Sequence, residues 1–370
     1  MAKVFVALSG GVDSSVAALL LKRQGYDVTG VFMRCYNVDG CAEQDAEDAR
    51  RVAEHLSIPF YVFNFEKEYK KKVVEYMVDG YRRGITPNPD VMCNKEIKFG
   101  LFLGKAIELG ADYIATGHYV KLVVSKLFTA RDSTKDQSYF LWTLSQDQLR
   151  YCLFPIGDYL KTEVREMARK AGLPTAEKKD SQGICFLGKV SLDDFLKNYI
   201  KPKKGPIVTT EGKKIGEHQG VYFYTIGQRQ GLGIGGGEPY YIADKDIRTN
   251  TLVVVKGSSD SALYGKEIEL TDVNFISPQY SNILKNVGMS VMARVRYRQP
   301  LAPATLYKLP TINYKLEFDS PIKFIAPGQS AVFYHAGDPS TSHSTLRVSD
   351  PMGSGSKSPD FEMLGGGIIL

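Results

Sequence analysis

The chain has 370 residues, 43% of them apolar and 24% charged, with 47 basic against 41 acidic side chains and a net charge of +6. That length suggests roughly two or three domains with a sizeable core. No apolar run approaches the ~18 residues of a membrane span, and Met1-Ala2-Lys3 leads straight into a strand rather than a leader, so a cytoplasmic protein is expected. The modest basic excess permits an anionic partner without demanding one. The five cysteines, Cys35, Cys41, Cys93, Cys152 and Cys185, are scattered and never in C-x-x-C spacing, which argues against a disulfide framework or a zinc site.

In chain order, Val4-Phe5-Val6-Ala7-Leu8 predicts a strand, Ser9-Gly10-Gly11-Val12-Asp13-Ser14-Ser15 a turn, and Val16-Ala17-Ala18-Leu19-Leu20-Leu21 a helix. A strand, a glycine turn and a helix start together aim free N–H groups and a positive helix end at an anion. The pattern lacks the G-x-x-x-x-G-K-[ST] lysine, so a loop that holds pyrophosphate, as in enzymes cleaving ATP to AMP, fits better. Asp13 is a candidate for a Mg²⁺ that accompanies those phosphates.

Residues 26–33 predict a second strand, 42–56 a helix, 60–64 a third strand and 66–83 a charged helix. Pro87 and Pro89 predict that residues 84–90 are not helical, with helix resuming over 94–109 and a fourth strand over 112–118. Strands alternating with helices imply a parallel, doubly wound α/β sheet. Ligands of such sheets sit at the carboxyl ends of the strands, which gathers the Ser9 loop, Met33 and Gly117-His118 around one crevice. Met33 fits either a core or an adenine pocket.

Residues 122–129 predict a hairpin, 162–170 and 193–199 helices, and 180–187 a loop or short strand. From residue 201 the texture becomes β-rich: residues 216–237 hold eight glycines, a small central module is expected to about 266, and the runs from 267 onward suggest a β-barrel or sandwich. Arg294, Arg296 and Arg298 alternate and are expected on one strand face, either solvated or against RNA. Residues 338–360, with seven serines and three prolines, predict a mobile loop.

Pro87-Asn88-Pro89-Asp90-Val91-Met92-Cys93-Asn94 and Asp180-Ser181-Gln182-Gly183-Ile184-Cys185-Phe186 resemble the tRNA-specific 2-thiouridylases, the MnmA/TrmU family. ALSGGVDSS, ATGHYV, KDQSYFL, GEHQGVYFYTIGQRQGLGIGG, ARVRYRQ, PGQSAVFY and LGGGII extend the resemblance along the whole chain in order. It implies an N-terminal ATP-pyrophosphatase (PP-loop) domain over 1–200, a small central β-rich domain over 201–266 and a C-terminal β-barrel over 267–370. It also implies thiolation of C2 of the wobble uridine, position 34, in tRNAs for Lys, Glu and Gln.

By that resemblance the ATP site falls on Ala7, Leu8, Ser9, Gly10, Gly11, Val12, Asp13 and Ser14, with Met33 and Gly117. The nucleophile falls on Cys93, the persulfide carrier on Cys185, and the surroundings of the target base on Asn88, Pro89 and Asp90. Contact with tRNA falls on His118, on Lys135, Asp136 and Gln137, on Tyr297 and Arg298, and on Gln329. Implied partners are tRNA, a sulfur donor (a cysteine desulfurase or a relay protein) and a cellular thiol reductant. The persulfide sulfur either attacks C2 directly or is passed to the site as sulfide, and in the direct route the reductant reopens a transient Cys93–Cys185 disulfide. Asp90, three residues before Cys93, is a candidate acid/base, and Cys93 at the start of the 94–109 helix would gain from its dipole. The 338–360 segment departs from the family pattern. An amidating synthetase with the same ATP loop, or a non-catalytic tRNA-binding protein, are the competing readings.

Overall fold

The run Lys3–Ala7 (β1) is the central strand of a five-stranded parallel sheet in a computed structural model. The structure describes all residues except 37, 39, 180–186, 189, 236, 284–287 and 336–359, and for side chains also excepts 41, 282 and 283. The expectations for Cys185 and for most of the 338–360 segment lie outside the described residues.

β1 alternates between two cores, as strand geometry requires. Val4 and Val6 pack against α1 (Val12–Arg23), α2 (Cys41–His55) and the Lys161–Lys170 helix. Phe5 and Ala7 face Phe99, Phe102 and Ala106 on the opposite side. β2 (Asp27–Arg34) and β3 (Phe60–Asn64) extend the sheet one way, and β4 (Tyr113–Ala115) the other. The strand order thus reverses between β1 and β4, which is where an open α/β sheet opens a crevice. The hairpin over 122–129 is present as β5 (Lys121–Val123) and β6 (Lys126–Phe128), joined through Val124 and Ser125, both at positive φ. The fifth sheet strand, β7 (Cys152–Leu153), is too short to show a period in the sequence.

Two helices differ from expectation. Residues 66–82 form one run whose middle, Lys70–Val74, is π-helical. The next helix starts earlier than predicted, at Pro89, and continues as a π-helix over Asn94–Phe102 before ending at Glu108. Pro89 takes the first helical position, where its missing N–H costs nothing, so the 84–90 stretch is non-helical only as far as Asn88.

The central module is a four-stranded sheet of β8 (Gly205–Thr209), β9 (Lys214–His218), β10 (Tyr240–Asp246) and β11 (Thr251–Lys256), in order β10-β11-β8-β9. Its Ile207, Ile242, Leu252 and Val254 share a core with Tyr69, Val73, Cys93 and Ile97 of the first domain. The last module is a closed antiparallel barrel of β12 (Tyr264–Phe275), β13 (Met289–Arg294), β14 (Ala302–Lys308), β15 (Tyr314–Lys323), β16 (Ser330–His335) and β17 (Met363–Ile369). Closure leaves no free strand edge. Its Val332, Tyr334 and Met363 join the core of Tyr139, Leu141 and Trp142. Among the described residues no helix is long and apolar enough to cross a membrane.

The alternating-arginine reading is corrected. β13 ends at Arg294, and Arg298 lies beyond it at φ +64°, so the three do not share a strand face. Arg294 is buried, and Arg296 donates to the carbonyls of Phe324 and Ile226, stitching barrel to central module. Only Arg298 is exposed.

Candidate active site

The loop after β1 has the geometry of an anion cradle. Gly10 turns the chain at φ +74°, and a Cβ there would lie 2.4 Å from the Asp45 carbonyl oxygen, so only glycine fits. Gly11 caps α1 without any side-chain cap, which leaves the first N–H groups of the helix for a ligand. The Ser14 hydroxyl donates to Gly11 O at 3.1 Å and accepts from Ser9 N at 3.1 Å, bracing the loop from within. Ser9 itself is exposed at the rim. Gly117, after β4, crosses this turn so closely that a Cβ would sit 2.6 Å from Ser14 N. Ala7, Leu8 and Val12 are buried behind the cradle and hold its backbone in place.

Asp13 is not free for a metal. Lys161 donates to both of its carboxylate oxygens, at 2.7 and 2.8 Å, and the Tyr119 hydroxyl adds a third bond at 2.9 Å. A Mg²⁺ on Asp13 would have to displace a largely buried ammonium, so the donor set does not fit the expected role. Among the described residues no cluster of three or more His, Cys, Asp or Glu side chains is placed to hold a metal. Lys161 and Tyr119 escaped the sequence reading because 148 residues separate Lys161 from Asp13 and no local pattern links them.

Met33, at the carboxyl end of β2, packs both against the Phe5 core and against the core that holds Cys93. It therefore links the Phe5 side of the sheet to the core that holds the thiol. Cys93 sits in the helix begun by Asn88, whose side chain accepts from Val91 N at 3.2 Å as an N-cap. Pro89 and Asp90 fill the first turn, so Cys93 is inside the helix and not at its positive end, and the expected dipole benefit falls to Asp90 instead. Burial pushes the Cys93 thiol up; Lys98 acts against this, Asp90 with it, and a hydrogen bond with the Tyr69 side chain lowers it. Burial likewise pushes the Asp90 carboxyl up, opposed by Lys98. Asp90 is thereby suited to carry a proton nearer neutrality. Leu187 shares the Cys93 core.

His118 is buried between Phe99 and Phe154, with ring centroids at 5.9 and 6.4 Å. Its Nδ1 lies 2.8 Å from Thr116 Oγ1 and its Nε2 3.4 Å from Lys98 Nζ. Burial, then the Lys98 charge, holds its pKa well below the usual imidazole value.

The remaining residues ascribed to tRNA divide by exposure. Arg298 is exposed beside Tyr297, whose ring in turn lies 4.5 Å from Phe140, and Lys135 is half-buried. Asp136 is buried: one oxygen accepts from Ala130 N and Ser138 N, the other from Ser138 Oγ and, at 2.5 Å, from Arg294. Gln137 accepts from Tyr119 N at 3.0 Å, and Gln329 donates to Thr86 O at 2.8 Å. In this conformation Asp136 is an interdomain staple, and Gln137 and Gln329 brace backbone.

Three family models match the chain in succession: the tRNA methyl transferase HUP domain over residues 2–189, the tRNA methyl transferase PRC-barrel domain over 193–256, and the aminomethyltransferase beta-barrel domain over 265–339. The tRNA-specific 2-thiouridylase MnmA of Alkaliphilus oremlandii is 47% identical over 347 residues, covering 90% of this chain and 93% of that protein. MnmA 2 of Geobacillus kaustophilus is 47% identical over 343 residues, covering 90% and 91%. Among solved structures, a 4-thiouridine synthetase–RNA complex with bound ATP matches at 21% identity and a TM-score of 0.33, over 53% of this chain and 50% of that one. The NMN synthetase of Francisella tularensis matches at 18% and 0.34, over 49% and 66%. These two likenesses span only about half the chain and add nothing to the assignment. On the near full-length identity to its curated relatives, the chain belongs to the tRNA-specific 2-thiouridylase MnmA family.

Proposed function

We propose that the chain thiolates tRNA at C2 of the wobble uridine, position 34, in tRNAs for Lys, Glu and Gln, using ATP. The supporting observation is the placement of an uncapped helix start at the β1/β4 switch point, with Met33 packing between that sheet and the Cys93 core. The uridine C2 oxygen is a poor leaving group. Its attack on the α-phosphorus of ATP forms C2–O–AMP and releases pyrophosphate, whose charge the α1 N–H groups stabilise. The terminal sulfur of a persulfide on Cys185 then attacks C2 and AMP departs. Cys93 thiolate attacks the inner sulfur, which leaves sulfur on C2 as the thiocarbonyl and forms a Cys93–Cys185 disulfide. Two electrons from a cellular thiol reopen it, and a cysteine desulfurase or relay protein reloads Cys185. Asn88, Pro89 and Asp90 line the approach of a base flipped from the anticodon loop, and Asp90 handles a proton there. Arg298 and Lys135 supply phosphate contacts.

The test is transfer of radiolabelled sulfur from a desulfurase-charged enzyme to tRNA, comparing wild type with Cys93→Ser and Cys185→Ser. Labelled 2-thiouridine that vanishes in both variants is the expected result. AMP release with unlabelled tRNA would move the assignment to an amidating relative, and label retained without Cys93 would remove its nucleophilic role.

A further inference from the structure

The proposed reaction leaves one cation near the thiol without a task. Lys98 lies five residues after Cys93, in the π-helical stretch Asn94–Phe102. In an α-helix of 3.6 residues per turn, a residue five positions on points roughly 140° away. The wider i→i+5 winding of a π-helix brings it back towards the same face, and such segments concentrate at functional sites. The winding therefore brings Lys98 back towards the face that carries Cys93, which one regular helix would not do.

A bracket fixes the ammonium. Lys98 Nζ lies 3.4 Å from His118 Nε2, and His118 Nδ1 lies 2.8 Å from Thr116 Oγ1. An ammonium has only donors, so Nε2 must accept and the ring proton must sit on Nδ1, facing Thr116. The imidazole is thus neutral and anchors Lys98 without competing for the negative charge nearby. Among the described residues no carboxylate forms an ion pair with Lys98 within 4.0 Å. The groups that act on the thiol are Lys98 and Asp90 by charge and Tyr69 by a hydrogen bond, and Lys98 is the only cation among them.

We propose that Lys98, held by His118 and Thr116, is the positioning residue that stabilises the Cys93 thiolate. The step is ionisation alone: the thiol S–H bond breaks, its electron pair stays on sulfur beside the ammonium, and the proton passes to solvent. The inference deepens the reading of Cys93 as nucleophile and rests on it for its purpose.

The experiment titrates Cys93 in the free full-length enzyme by thiolate ultraviolet absorbance, taking each variant minus the same variant carrying Cys93→Ser, so that access to a buried sulfur does not matter. Lys98→Met is expected to move the thiolate midpoint up by about one pH unit or more, a roughly tenfold smaller thiolate fraction at neutral pH. Lys98→Arg, which keeps the charge, is expected to restore most of it, and His118→Leu, which frees the ammonium, to fall between. An unchanged midpoint in a Lys98→Met protein that keeps its wild-type urea midpoint would overturn the proposal, as would an equal rise in Lys98→Arg. The titration needs neither tRNA nor ATP. A moved midpoint with sulfur transfer that ignores Cys93 would sink the functional reading and spare this one, and the reverse pattern would do the opposite.

Discussion

The Gln329 side-chain amide donates to the carbonyl of Thr86 at 2.8 Å, joining the barrel to the chain just before the Asn88 cap. Thr86 N also donates to Pro327 O at 2.8 Å, and Thr86 Oγ1 to Thr225 Oγ1 of the central module at 3.2 Å. All three domains meet on this one residue, so the start of the Cys93 helix is set by how they dock. Gln329→Leu would strand a buried carbonyl, a cost of about 1–3 kcal/mol. The expected kinetic result is a lower single-turnover rate of sulfur transfer with tRNA affinity changed less than about threefold, because the amide serves geometry. Filter binding and single-turnover assays separate the two. A large loss of affinity at an unchanged rate would return Gln329 to direct RNA contact.

Arg294 and Asp136 form a second joint, at 2.5 Å and with both side chains under a tenth exposed. Arg294 also touches the Ser138 and Tyr334 hydroxyls, so the barrel reaches the first domain through one buried polar network. Removing one partner of such a pair leaves an uncompensated charge, which costs about 3–5 kcal/mol. Arg294→Met should therefore lower the urea midpoint of the full chain substantially. Asp136→Asn, which retains an acceptor, should cost less. In a double-mutant cycle the two changes should be clearly non-additive. Additive losses would mean that the pair is not coupled.

Much of this organisation is legible in the sequence, and the exceptions have physical causes. The glycine turn after β1 is readable because strand, turn and helix start are contiguous, and the β-rich texture after residue 201 announces the last two modules. Lys98 is not readable as a charge that acts on Cys93, since a five-residue spacing puts two residues on one face only once the helix is known to be π-helical. Lys161, Arg294 and Thr86 become meaningful only through contacts across 148, 158 and 243 residues, respectively. The alternation of Arg294, Arg296 and Arg298 misleads because a strand period was read past the end of its strand. Pro89 misleads for the opposite reason: a proline that forbids helix interior is favoured at its first position.

Gly117 offers a test of whether the turn after β1 binds ATP as proposed, with a built-in control. A methyl group there meets backbone atoms of Asp13 and Ser14 at 2.8 and 2.6 Å, and backbone cannot swing aside as a side-chain tip can. Gly117→Ala should push the first turn of α1 out of register and raise the Kd for ATP about tenfold or more, measured by calorimetry. Gly104→Ala places its methyl group in open space on a helix, so it should leave ATP binding alone and stabilise by roughly 0.4–1 kcal/mol. Equal ATP affinity in both variants would show that the close crossing does not shape the cradle.

His118 predicts a pH dependence of stability whose sign follows from its burial. Its pKa lies well below 6.5 in the folded chain and returns to that value on unfolding. Below about pH 6.5 the unfolded chain therefore binds the extra proton, and stability falls as the pH falls. Its contribution is complete above pH 6.5 and is lost progressively on acidification towards the folded pKa. His118→Gln keeps an acceptor for Lys98 but cannot titrate, so it removes this term. Between pH 7.5 and 5.5 the wild type should lose up to about 1.4 kcal/mol more than the variant, read from urea midpoints at each pH. The comparison cancels other groups that titrate in that interval, His218 among them, because both proteins carry them. If the two lose stability in parallel, the ring is not held neutral, and the ammonium of Lys98 must then be anchored by something other than His118.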